Sequence, residues 1–154
     1  MTDLDPDRLF ASPVFRLGIL GDRATRDYAA RLADLGVTPK HVGVLGMVAA
    51  GRAGSQREIA TALGVAPSLV VQLVDRLEEL GALERRRSTD DRRVQRLELT
   101  PRGADLLTDC LDRLDEAEHD LANLLGHEDL ARLAAALPDV SLERTAGDRP
   151  DGPR

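Results

Sequence analysis

Between Arg85 and Arg96 the chain carries six arginines (Arg85, Arg86, Arg87, Arg92, Arg93 and Arg96) against two acids, Asp90 and Asp91, a local balance of +4. The formal net charge is −6, so the remainder carries −10. Basic charge concentrated in one segment of an acidic protein suits pairing with phosphate; an ordinary solvated loop is the alternative. Just upstream, residues 67–80 fit one helix. Turned at about 100° per residue, its buried stripe centres on Val70, Leu73 and Leu77. The outward arc then holds Ser68, Val71, Gln72, Asp75, Arg76 and Glu79. Gln72 can make a bidentate pair to adenine, Ser68 can bond a base or a phosphate, and Val71 can touch a thymine methyl. Arg76, at the flank of the arc, suits a phosphate. Asp75 has the wrong sign for phosphate and is expected to pair with a nearby arginine. Ser55, Gln56 and Arg87 complete the candidate set. The bland alternative is a helix whose polar face is merely solvated.

Positioning these side chains requires a particular order of elements. Ser55-Gln56-Arg57-Glu58 reads as a capping box, opening a helix with Ile59, Ala60 and Leu63 inward. Gly64 supplies a permissive turn. A second helix runs from Pro67 to Leu80, with Gly81 as its C-cap. Ala82–Arg86 and Val94–Leu99 read as two strands around a polar tip, with Gln95, Leu97 and Leu99 on one face. Arginines at the end of a β-ribbon can enter a minor groove, and Arg92 and Arg93 sit at such a tip. Asp91 would hold an arginine there by a charge-assisted bond. Helix, turn, helix and β-wing is an order suited to reading duplex DNA.

These residues resemble the MarR family of transcriptional regulators. The run Asp91-Arg92-Arg93, five residues, then Leu99-Thr100-Pro101 and Gly103 looks like that family's wing signature. Gln56-Arg57-Glu58-Ile59-Ala60, Leu63-Gly64-Val65, Leu73-Val74-Asp75-Arg76-Leu77-Glu78, Gly81 and Glu84-Arg85 match its helix-turn-helix in order and spacing. The close resemblance covers about residues 35–103. It implies a winged-helix fold and a homodimer joined by N- and C-terminal helices. It also implies binding to a palindromic operator as a repressor that a small molecule or an oxidant releases. One departure matters: Ala66 stands where a capping hydroxyl is common, and Leu69, Val71 and Gln72 stand where polar or cationic base readers are common. The implied specificity therefore leans on Gln72, Ser68, methyl contacts and the wing.

The flanks supply the frame. Aromatics are 2% of the 154 residues, so the core must come from Leu, Val, Ile and Ala, which favours packed helices. The fold expected is mainly α with a small β-hairpin. Residues 1–11 are expected to be flexible, 12–137 to form the domain, and 138–154 to be disordered. Within the domain, residues about 38–100 form the DNA-reading lobe, while 12–34 and 101–137 are dimerisation helices. The first helix starts at Ser12-Pro13, and the long Leu-striped one at Thr100-Pro101. The family's effector cleft lies between the dimer helices and the DNA-binding lobe, which nominates Phe15, Ile19, His41 and Leu45; each is equally a core residue. Cys110 falls on an apolar stripe between acidic neighbours, against a reactive thiol, and a redox-responsive regulator is kept as an alternative. A winged helix that binds protein is another. No His/Cys pair has metal-ligand spacing, so no metal and no cofactor are expected, and no catalytic arrangement is evident. The expected partners are duplex DNA, a second copy of the chain and a small-molecule effector, not a membrane. The expected location is cytoplasmic.

Overall fold

In the computed structural model, residues 5–87 and 95–137 are described. The helix starts fall where the caps place them. After a short helix α1 (Asp7–Ala11), α2 (Pro13–Arg31) follows Ser12-Pro13, a 3-10 turn spans Ala33–Leu35, and α3 (Pro39–Ala49) follows Thr38-Pro39. Then come α4 (Gln56–Leu63) and α5 (Pro67–Glu79), a hairpin of β1 (Leu83–Arg87) and β2 (Gln95–Leu99), α6 (Pro101–Leu125) and α7 (His127–Ala136). The segment read as flexible up to residue 11 thus holds a helix. Phe10 meets Phe15 edge-on at 5.8 Å between centroids, and Arg16 Nε donates to the Phe10 carbonyl at 2.5 Å, tying α1 back to α2.

The core centres on the reading lobe and takes in Leu32 at the end of α2 and Cys110 on α6. Leu32, Val44, Leu45, Ile59, Val70, Val74, Leu77 and Cys110 are fully buried, each apolar side chain contributing about 1.5–3 kcal/mol. On α3 the buried centre is Val44 and Leu45, with Val42 and Val48 partly buried beside it. Helix α5 buries Val70, Leu73, Val74 and Leu77, as its periodicity requires. Helices α3, α4 and α5 pack together, α2 packs along α6, and α7 folds back on α6.

The hairpin is antiparallel, running from Leu83 opposite Leu99 to Arg87 opposite Gln95. It starts one residue later than its alternation suggests because Ala82 belongs to the end of α5: its N–H donates to the Leu77 carbonyl at 2.8 Å. Leu97 N–H donates to the Gly54 carbonyl at 3.0 Å, which fastens β2 to the loop before α4.

The Thr100-Pro101-x-Gly103 run joins hairpin to α6. Thr100 Oγ1 accepts from Gly103 N–H at 2.9 Å and donates to the Gly81 carbonyl at 2.6 Å. A Cβ at Gly103 would lie 2.0 Å from the Ala82 carbonyl oxygen, so only glycine allows α6 this close to the strand. Among the described residues no single helix is long and apolar enough to cross a membrane.

Candidate nucleic-acid interface

Helix α4 opens with the capping box its sequence announces. Glu58 N–H donates to Ser55 Oγ at 3.3 Å, and Glu58 Oε2 accepts from Ser55 N–H at 3.0 Å. It also accepts from Gly54 N–H at 2.8 Å. That Gly54 bond, foremost, with the Ser55 bonds and the charge of Arg96 behind it, holds the Glu58 carboxyl below the usual carboxylate range. The helix ends at Gly64, in the left-handed region at φ 62°, and the chain turns directly into α5.

Helix α5 begins at Ala66-Pro67 without a side-chain cap, as the alanine requires. Its outward arc is the expected one: Ser68, Val71, Gln72, Asp75, Arg76 and Glu79 are all exposed, opposite the buried stripe. Leu69 is different. It is partly buried against the core, so it braces the helix and is not presented to a base. Arg76 Nη1 bonds Glu79 Oε2 at 3.1 Å, and its Nη2 lies against Gly36.

Asp75 does find an arginine. Arg85 Nη2 donates to Asp75 Oδ1 at 2.6 Å, and Arg85 Nη1 donates to Glu78. The Gln56 amide oxygen, turned to face donors, accepts from Arg85 Nε at 3.0 Å and Nη2 at 2.9 Å. Gln56 is therefore held by Arg85 rather than displayed. Arg86 bonds Glu84 at 2.8 Å and Glu98 at 3.2 Å. The local charge of +4 is thus an overcount of the charge on offer: Arg85 and Arg86 are paired with four carboxylates, all of them outside the basic segment in sequence but beside it in space. Arg87 closes β1, opposite Gln95. Asp91, Arg92 and Arg93, the expected tip, lie outside the described residues, as does the tail 138–154.

The four effector candidates are not brought together. A cleft of about 520 Å³ opens between α2, α6 and the start of α3, lined by Arg23, Tyr28, Arg31, Pro39, Leu114 and Leu121 among others. None of Phe15, Ile19, His41 or Leu45 lines it. Leu45 is fully buried in the core. Ile19 and Phe15 lie one and two turns before Arg23, the cleft's first residue on α2. His41 caps α3: its Nδ1 accepts from Thr38 N–H at 3.0 Å and lies 2.8 Å from Thr38 Oγ1. Burial, then the charge of Arg76, lowers its pKa below the ordinary value. Sequence reasoning missed this role because the N3 position of a cap usually signals itself with Glu or Gln.

Cys110 is fully buried, and burial, with Asp109 second, pushes its thiol up to about 11. Its backbone carbonyl accepts from Tyr28 Oη at 2.9 Å, which ties α6 to α2. A protonated, inaccessible thiol is the opposite of what a redox sensor needs.

Comparison with known proteins agrees with this geometry. The sequence model described as MarR family matches residues 35–94. A putative transcriptional regulatory protein for the hcr operon of Thauera aromatica is 40% identical over 72 residues, which are 47% of this chain and 43% of that protein. Among solved structures, the transcriptional repressor CouR bound to a 23-mer DNA duplex is 30% identical, with a TM-score of 0.77 over 87% of this chain and 95% of that one. CouR from Rhodococcus jostii RHA1 bound to p-coumaroyl-CoA is 25% identical, with a TM-score of 0.75 over 90% of this chain and 98% of that one. Capping box, exposed reading arc, hairpin and flanking helices stand in a chain that is similar to a DNA-bound repressor over nearly its whole length, and the chain belongs to the MarR family of winged helix-turn-helix transcriptional regulators.

Proposed function

We propose that this protein is a sequence-specific regulator that binds double-stranded DNA as a homodimer and represses from a palindromic operator until a small molecule releases it. The observation that carries the reading is the exposed arc of α5, with Ser68, Val71 and Gln72 at its head and no core contact to occupy them. The DNA-bound relative supports it. Placing α5 in a major groove sets Gln72 against a base edge. Arg87, Arg92 and Arg93 would supply the wing's contacts. The effector site is the cleft between α2 and α6, where Leu114 and Leu121 offer an apolar wall and Arg23 and Tyr28 polar edges; a relative of the same fold binds p-coumaroyl-CoA. This is a binding protein and not an enzyme, and it works in the cytoplasm, where the DNA is.

Selection from a random duplex library, repeated with candidate small molecules, tests the reading as a whole. Gln72→Ala tests its sharpest part. A bidentate pair is worth about 1–3 kcal/mol of discrimination, so the preference for adenine at one position per half-site should fall about 5- to 150-fold. An unchanged selection profile would remove Gln72 from the base-reading set.

A further inference from the structure

The hairpin's arginines differ in what they face. Along β1 side chains alternate. Arg86 turns to the hairpin's own Glu84 and Glu98. Arg85 turns the other way, to the helices. Its side chain is 22% exposed, and its guanidinium touches three residues on two helices: Gln56 at the head of α4, and Asp75 and Glu78 on the flank of α5. A planar fork with charge-assisted bonds fixes orientation as well as distance. Opposite Arg85 in register is Leu97, whose N–H bonds the Gly54 carbonyl. The base of the hairpin is therefore fastened on both strands, and the Arg85 side is the one that touches the base-reading helix.

Without Arg85, α5 would show Asp75, Glu78 and Glu79 against a single cation, Arg76. Three carboxylates beside phosphates repel. The same guanidinium cancels two of them and ties the strand that leads to the wing tip. We propose that Arg85 is the positioning residue of the DNA interface: by fastening β1 to α5 and α4, it sets the angle at which the wing meets DNA relative to the helix that reads the bases. The inference rests on the DNA-binding reading above.

The test uses the full-length protein and the duplex recovered by selection. Wild-type protein is footprinted with hydroxyl radicals for minor-groove protection and with dimethyl sulfate for major-groove protection. Arg85→Ala, at saturating concentration, is expected to keep the major-groove protection and lose the flanking minor-groove protection. Affinity should fall about tenfold or more, and the slope of log K against log salt should become shallower by about 1 for each phosphate that the wing no longer neutralises. Arg85→Lys keeps the charge and removes the fork, and is expected to fail to restore the wing protection. If folded Arg85→Ala binds within twofold with both protections intact, Arg85 merely stabilises the fold and the inference is overturned. Should Arg85→Ala fail to fold, Asp75→Asn decides. It removes a negative charge, so a fork that only neutralised charge would leave binding intact or tighter, whereas one that aims the wing loses minor-groove protection. Wild-type protein that shows no salt-dependent duplex binding would defeat the functional reading itself. Wild-type binding with unaffected variants defeats only the role of Arg85.

Discussion

His41 shows how one side chain can be legible in type and misread in role. A histidine after Lys40 at a helix start invites an anion-binding reading. The fold instead commits its Nδ1 to the Thr38 N–H, so that nitrogen must be unprotonated, and the lowered pKa agrees. The folded state therefore binds a proton less readily than the unfolded chain. Its contribution to stability is full above the unfolded pKa, about 6.5, and is lost as pH falls through the folded value. Thermal melts from pH 7.5 to pH 5.5 should show a falling midpoint. His41→Gln can keep the reciprocal cap without titrating, and should flatten that fall. An equal slope in both proteins would place the pH dependence elsewhere. Arg85 is the converse case: a pairing of Asp75 with a nearby arginine was expected, but which arginine, and its hold on Glu78 as well, was not legible, because the turn at Gly81 brings these partners to it. Asp75 and Glu78, three residues apart on one helix flank, were the available signal that a cation must face them.

At the scale of elements the chain was far more readable. The capping residues named four helix starts, at Ser12, Thr38, Ser55 and Thr100, and the periodicity of α5 separated its buried stripe from its reading arc without error in the outward six. Where elements were misplaced, a local contact five or six residues along the chain, which apolar periodicity does not report, was responsible. Ala82 joins the end of α5, and α1 forms by folding back on Phe15 and Arg16. The junction at Thr100 to Gly103 was legible only as a motif; its cause is the contact of α6 with Ala82. Gly103→Ala puts a methyl 2.0 Å from the Ala82 carbonyl oxygen, and backbone cannot yield as a side-chain tip can. The expected loss is about 3 kcal/mol, at the upper end of overpacking costs. Thr100→Ala, which removes a cap while leaving the space unchanged, should cost about 1 kcal/mol. Denaturant melts of the two variants check the order, and a Gly103→Ala protein as stable as Thr100→Ala would show that α6 can slide away from the strand.

For the whole molecule, the distribution of exposed apolar surface decides what the single chain lacks. Leu9 and Phe10 on α1, Val14, Leu17 and Ile19 on α2, Leu111 and Leu124 on α6, and Leu137 after α7 are all large and exposed, Val14 at 82%. Among the described residues of the reading lobe the corresponding residue is Val71, on the arc offered to DNA. Surface of this kind gathered on the terminal helices calls for a partner, and a second copy of the same helices supplies a self-complementary one. Two reading helices then address half-sites about one DNA turn apart, and each binding event raises the effective concentration of the other. Light scattering at micromolar concentration should give the mass of two 16.7 kDa chains. Val14→Glu with Leu17→Glu alters only exposed positions, so the fold should persist while the pair separates. Affinity for a full palindrome should then fall about 100-fold or more, and affinity for a single half-site should change little. A double variant that remains dimeric and binds the palindrome normally would move the interface off the N-terminal half of α2, and leave α6 and α7 to carry it.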